Sequence, residues 1–95
     1  MRDDRFEWDD QKAATNLKRH HVSFDEACGV FDDADFVDDD DPDPDEIRTC
    51  RIGRAGTALL VVVYTEREDR HGRIRIRIIS AREATNHEEA RYRSP

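Results

Sequence analysis

Lysine, cysteine and long apolar runs are scarce in this 95-residue chain, and each scarcity excludes something. Cys28 and Cys50 are the only cysteines, and neither belongs to a CxxC pair, so a zinc site of that pattern is not suggested. Two cysteines so placed read as small buried hydrophobes rather than as a disulfide. The longest apolar run, Ala58 to Tyr64, falls far below the roughly 18 residues that span a bilayer and suits a buried strand. The opening "MRDDRFEWDD" is acidic and holds no apolar stretch, so it does not read as a secretory signal. A cytoplasmic protein is expected. Lys12 and Lys18 are the only lysines, against fourteen arginines.

What is present is charge. Charged residues make up 41% of the chain and hydrophobic ones 36%. At this length a single domain, residues 1–95, with one modest core is expected. The net charge of −7 hides an asymmetry. Residues 1–47 hold 17 acidic and 5 basic side chains, whereas residues 48–95 hold 6 acidic and 11 basic ones, all arginine. Such a division points to a polyanion or a charged partner on one side. Arginine grips phosphate with a planar, bidentate fork that lysine lacks. GC-rich coding yields the same bias without any ligand, and composition does not choose between the two.

The pattern along the chain predicts an α+β fold in the order β-α-α-β-β-β-α. Arg5 to Trp8 reads as an opening strand with Phe6 and Trp8 on one face. Asp9 or Asp10 caps a helix to about His20, with Ala13, Leu17 and His20 on one stripe. Ser23 and Glu26 have capping-box spacing, and Phe24, Ala27, Cys28 and Phe31 follow as a core-facing stripe. The acidic block from Asp32 to Glu46 reads as a loop with a short edge strand near Phe36 and Val37. Its alternating Asp39, Asp41 and Asp43 resemble the start of a calcium loop. Pro44 stands where that loop needs glycine, however, and Cys50 where it needs glutamate. Strands are expected from about Ile47 to Ile52, from Thr57 to Glu66 and from Arg73 to Ile79. A final helix follows, capped by Thr85 and Glu88, with Ala84, Glu88, Arg91 and Tyr92 on one side. Short connections favour an antiparallel meander with the helices grouped on one face.

The stretch "HGRIRIRIISAR", His71 to Arg82, carries the most pointed chemistry. Strand alternation sends Ile74, Ile76 and Ile78 to a core and Arg73, Arg75 and Arg77 to the other face. Residues two apart on a strand lie about 6.7 Å apart, a spacing suited to successive groups of an extended polyanion. A solvated sheet face explains the same pattern. Arg82 follows the strand, beside an expected helix N-terminus that also attracts anions. His20 and His21 close the first helix, where the dipole favours them; a general acid or base is the functional alternative. Neither has a partner at metal-ligand spacing. His71 and His87 are isolated, and Glu66, near the end of the central strand, reads as a base or an ordinary edge charge.

Several segments together carry a resemblance: "FEWD" at Phe6–Asp9, then Lys12, Asn16 and "KRHHVSFDEA" at Lys18–Ala27; "VFDD" at Val30–Asp33, "IGR" at Ile52–Arg54 and "LLVVVYTER"; and the run from Arg77 to Glu88. This ordered set resembles the BrnT family of type II toxins, a branch of the RelE-like ribonucleases, over nearly the whole chain from Phe6 to about Tyr92. The resemblance implies a compact RelE-like α+β fold, with an antiparallel sheet and helices packed on one face. It also implies an RNA-cleaving toxin that stops translation, a BrnA-like antitoxin that covers it, and DNA contact only through that antitoxin. Neither a metal nor an organic cofactor is called for, and no membrane association.

Cleavage of the RelE-like kind is metal-independent attack by the RNA's own 2′-hydroxyl on the adjacent phosphate. Under this resemblance Arg77 and Arg82 stabilise the phosphate, and His20 and Glu66 are the candidates for proton transfer. Lys12, Arg67, Arg73 and Arg75 contact RNA, and Glu88 and Arg91 orient the set. The chain departs from the family in three places. His21 stands where the family pattern has glycine after Lys-His, the connection from Glu66 to Gly72 is longer, and the acidic block is heavier. Two other classes compete: a non-catalytic binding module that presents the arginine face to RNA or an acidic partner, and an inactive toxin retained as co-regulator of its operon with its antitoxin.

Overall fold

The computed structural model describes residues 4–43 and 45–94. The calcium-loop position at Pro44 lies outside the described residues. The elements are β1 (Phe6–Glu7), α1 (Asp10–His20), α2 (Phe24–Ala27), a 3₁₀ turn (Cys28–Asp32), β2 (Val37–Asp41), β3 (Arg48–Ala55), β4 (Ala58–Glu68), β5 (Ile74–Glu83) and α3 (Asn86–Arg93). They form one five-stranded sheet in the order β1-β5-β4-β3-β2. Strands β2 to β5 make the expected antiparallel meander. β1 lies parallel to β5, pairing Phe6 with Ile76 and Glu7 with Arg77, so the sheet is mixed rather than purely antiparallel.

One face of the sheet carries the main core. Phe6, Val22, Phe24, Ala27, Val30, Leu60, Val62, Ile78 and Ala81 are buried together there, with Trp8, Phe31 and Ile76 packed against them. α1, α2 and the 3₁₀ turn lie on this side, and Ser23 and Glu26 form the expected capping box. Gly53 brings β3 close to the 3₁₀ turn: a Cβ at that position would sit 2.6 Å from Val30 Cγ1.

The helices are not all grouped on one face. α3 crosses the opposite face, above Ile52 and Val61, which are buried outside the main core cluster. Polar ties hold it there: Glu88 to Arg82, Arg91 to Asp39, and the Tyr92 hydroxyl to Asp33 at 2.6 Å. α3 buries no residue of its own, so its address is written in ion pairs rather than in an apolar stripe.

Three features differ from expectation for visible reasons. The acidic block contributes a five-residue edge strand, because its aspartates meet arginines across β3. Asp38 accepts a fork from Arg51 at 2.7 and 2.8 Å, and Asp41 stands opposite Arg48. β5 runs on through Arg82 to Glu83, paired with β4 as far as Leu60, so Arg82 is a strand residue. The stripe of α1 is also rotated. Asn16 is buried and Leu17 is 49% exposed, because α1 docks against the outer edge of β5, where Ala81 needs hydrogen-bond partners. The Asn16 carboxamide supplies both, donating to the Ala81 carbonyl at 2.7 Å and accepting from the Ala81 N–H at 3.1 Å. It also donates to the Val22 carbonyl at 3.0 Å.

Candidate active site

Register fixes what the α3 side of the sheet presents. Thr65 pairs with Arg77, Arg67 with Arg75, Val63 with Ser80, and Val61 with Arg82. Paired residues share a face, so these side chains and Glu7 lie on the side opposite the main core. The isoleucine–arginine alternation therefore divides as the sequence suggested: Ile78 is buried and Ile76 packs on the core, although Ile74 is 56% exposed. Two arginines directly opposite one another repel unless countered. Glu7 Oε2 lies 3.4 Å from Arg67 and 3.6 Å from Arg77, and Asp69 lies 3.4 Å from Arg75. These are long, solvent-exposed contacts of the kind worth little individually. Arg73, just before β5, is exposed, and its backbone N–H donates to Asp69 at 3.0 Å.

Arg82 is held differently. Its Nη1 and Nη2 donate end-on to the two carboxylate oxygens of Glu88 at 2.7 and 2.8 Å, and Nη1 also donates to the Glu83 carbonyl at 3.2 Å. Glu88 is itself fixed by the capping box, accepting from the Thr85 N–H at 2.9 Å. The Arg82 fork holds the Glu88 carboxyl down at about 2, against 4.5 ordinarily. Glu88 in turn raises the pKa of the guanidinium. A guanidinium has five N–H donors. Three are engaged, and the two that remain, on Nε and the outer side of Nη2, lie along one edge with no partner among the described residues. That edge is a pre-oriented fork for an anion. Arg91 holds α3 to β2 through Asp39 rather than contacting Arg82.

His20 and Lys12 lie together, away from the Arg67–Arg75–Arg77 row. Both line an open cleft of about 390 Å³ between α1 and the edge of β5, with Asp9, Gln11, Thr15, Asn16, Arg19, Ile79 and Ser80. Ser80 connects the two regions, since it lines the cleft and shares a sheet face with Arg82 two residues on. Glu66 is not brought to this constellation. It pairs with Ile76, whereas its neighbour Thr65 pairs with Arg77, so Glu66 lies on the core side of the sheet, where it is exposed. Cys50 stands opposite Val63 on the arginine side, half-buried and unbonded. Burial raises its thiol pKa, which leaves it a poor nucleophile.

Sequence reasoning gave no role to two residues that the fold uses, Asn16 beside the cleft and Arg51 on the core side of the sheet. Asn16 clamps the β5 edge beside Ser80 and Arg82; the available signal was a carboxamide one position off an apolar stripe. Arg51 is the arginine most absorbed by the fold, stacked 3.7 Å from the Phe36 ring centroid while it forks onto Asp38. His21 ends α1 with φ 60° and ψ 25°, the left-handed geometry that favours glycine.

Residues 8–88 match the protein family described as the ribonuclease toxin BrnT of type II toxin–antitoxin systems. No match is found among the curated proteins.

Proposed function

The chain belongs to the BrnT family of ribonuclease toxins of type II toxin–antitoxin systems, and on that premise we propose that it cleaves RNA by transesterification at Arg82. In this reading the 2′-hydroxyl attacks the adjacent phosphorus and the P–O5′ bond breaks. The products are a 2′,3′-cyclic phosphate and a 5′-hydroxyl. The observation that carries it is the Arg82 guanidinium, held end-on by Glu88 with its second edge unpartnered among the described residues. A fixed cation of this kind stabilises charge as it builds on the phosphorane without reorganising.

Arg77, Arg75, Arg67 and Arg73 extend the cationic track along the same strand pair. Their weak ties to Glu7 and Asp69 give way to the stronger field of an RNA backbone. The proton leaves the 2′-hydroxyl to His20, which lines the cleft reaching Ser80, and the 5′-oxygen, expelled in line on the opposite side of the phosphorus, takes a proton from water. Glu66, on the other side of the sheet, serves only if the RNA wraps the sheet end. Glu88 positions Arg82, and Arg91 holds α3 in place.

A BrnA-like antitoxin neutralises the toxin by covering the arginine face, and any DNA contact runs through that antitoxin. The proposed setting is the cytoplasm; no helix among the described residues is long and apolar enough to cross a membrane. Expression of the chain without an antitoxin, beside its Arg82→Ala variant, tests the reading. Growth arrest with RNA loss from the parent alone supports it. Equal growth of both strains at equal protein levels leaves a non-catalytic binding module.

A further inference from the structure

We propose that the cleft between α1 and the β5 edge is a nucleobase subsite, which seats an unpaired base of the RNA next to the phosphate gripped at Arg82. The inference rests on the ribonuclease reading and adds to it a basis for choosing where to cut.

The cleft exists because β5 has no strand neighbour over part of its outer edge. β1 pairs only as far as Arg77, and the Asn16 clamp takes over at Ala81. Ile79 and Ser80 lie in the gap between them, where β5 carries its one register shift against β4. The resulting space, about 390 Å³, falls within the roughly 300–1,000 Å³ typical of small-ligand sites.

Its lining suits a base better than a bare anion. Ile79 offers an apolar wall, and the His20 ring and Arg19 guanidinium offer planes of the sort on which unstacked bases lie. Gln11, Thr15, Ser80 and the Asp9 carboxylate supply both donors and acceptors for a base edge. One Asp9 oxygen already accepts from the Lys12 N–H at 2.9 Å, which fixes the carboxylate as the cap of α1. Asn16 has both amide protons and its oxygen engaged, so it serves as a rigid wall.

Charge and spacing complete the argument. Lys12 and Arg19 make no ion pair among the described residues, whereas Arg67, Arg75, Arg77 and Arg82 are each paired with a carboxylate. Two cations that line a polar cleft without an ion pair among the described residues suit the phosphates that flank a seated base. Ser80 and Arg82 project from the same face of one strand about 6.7 Å apart, a separation on the scale of one nucleotide step.

Thr15→Trp fills the cleft from an exposed helical position, and Gln11→Leu alters its polar edge without filling it. Both are compared with the parent chain on a pool of single-stranded RNAs with randomised bases, with cut positions mapped by sequencing. The parent should favour particular bases beside the cut. Gln11→Leu should change that preference, and Thr15→Trp should erase it and slow the best site about 10- to 100-fold, the scale of losing one stacked base. An unchanged cut-site profile in both variants overturns the subsite while leaving the nuclease intact. If the parent cuts no RNA, the nuclease reading fails and a binding arm decides the subsite. Nucleoside monophosphates should then shift the amide resonances of Thr15, His20 and Ser80 in a base-dependent way in the parent but not in Thr15→Trp. Equal shifts with inorganic phosphate, or none, overturn the subsite.

Discussion

Replacing Glu88 with glutamine removes the charge of the Arg82–Glu88 pair together with one of its two hydrogen bonds, since the amide NH2 cannot accept from Arg82, while the amide oxygen still completes the capping box with Thr85. A carboxyl drawn from 4.5 to about 2 sets a ceiling of roughly 3 kcal/mol, at about 1.36 kcal/mol per tenfold change in affinity for the proton. The Arg82 side chain is 40% exposed, and solvent screening brings the expected contribution down to about 1–2 kcal/mol. Glu88 is more acidic folded than unfolded, so its contribution is fully present above the unfolded value and fades as pH falls towards about 2. Urea unfolding of the parent and Glu88→Gln at pH 7 should therefore show the variant weaker by about 1–2 kcal/mol, and the gap should close as the pH approaches 2. A gap that persists undiminished at pH 2 would show that shape, not charge, is lost. No gap at pH 7 would remove the pair from any account of how Arg82 is held.

Three further substitutions probe the scaffold. His21→Gly relieves a left-handed residue costing about 1 kcal/mol, partly offset by glycine's larger unfolded entropy, and should raise the melting temperature by a few degrees (about 2–4 °C); a lower melting temperature refutes the strain argument. Asn16→Leu leaves the Ala81 N–H and carbonyl without their partners and should cost about 2–4 kcal/mol in urea unfolding. A variant within about 0.5 kcal/mol of the parent would deny the clamp its role. Gly53→Ala drives a methyl into Val30 and should cost about 1–3 kcal/mol, against no measurable loss if the 3₁₀ turn yields freely.

Local pattern made most of the elements legible. The capping boxes at Ser23 and Thr85, the apolar run of β4 and the alternation in β5 each depend on neighbours in sequence, and each stands where the pattern put it. What escaped depends on distant partners. The acidic block becomes a strand only because Arg48 and Arg51 face it from β3. Asn16 displaces Leu17 from the buried stripe only because α1 meets a bare strand edge. α3 takes the opposite face through Glu88, Arg91 and Tyr92, whose partners Arg82, Asp39 and Asp33 lie 6, 52 and 59 positions away. The candidate site was legible in the same proportion. The arginine row shares a face as alternation requires, whereas Arg82, five residues beyond Arg77, joins that face only because the irregularity at Ile79 shifts the register of β5 against β4. Lys12 and His20 share a cleft that no spacing rule announces. Glu66 is separated from Arg77 by the same alternation that aligns the arginines.

The central claim is that a guanidinium fixed by a helix cap receives the scissile phosphate. Incubation of the purified chain with a short single-stranded RNA in excess EDTA, with the product ends identified by mass, tests it most directly. The account predicts 2′,3′-cyclic phosphate and 5′-hydroxyl ends from the parent and a rate at least about 10²-fold lower for Arg82→Ala, with the variant's fold intact by circular dichroism. Cleavage by Arg82→Ala at the parental rate would contradict it.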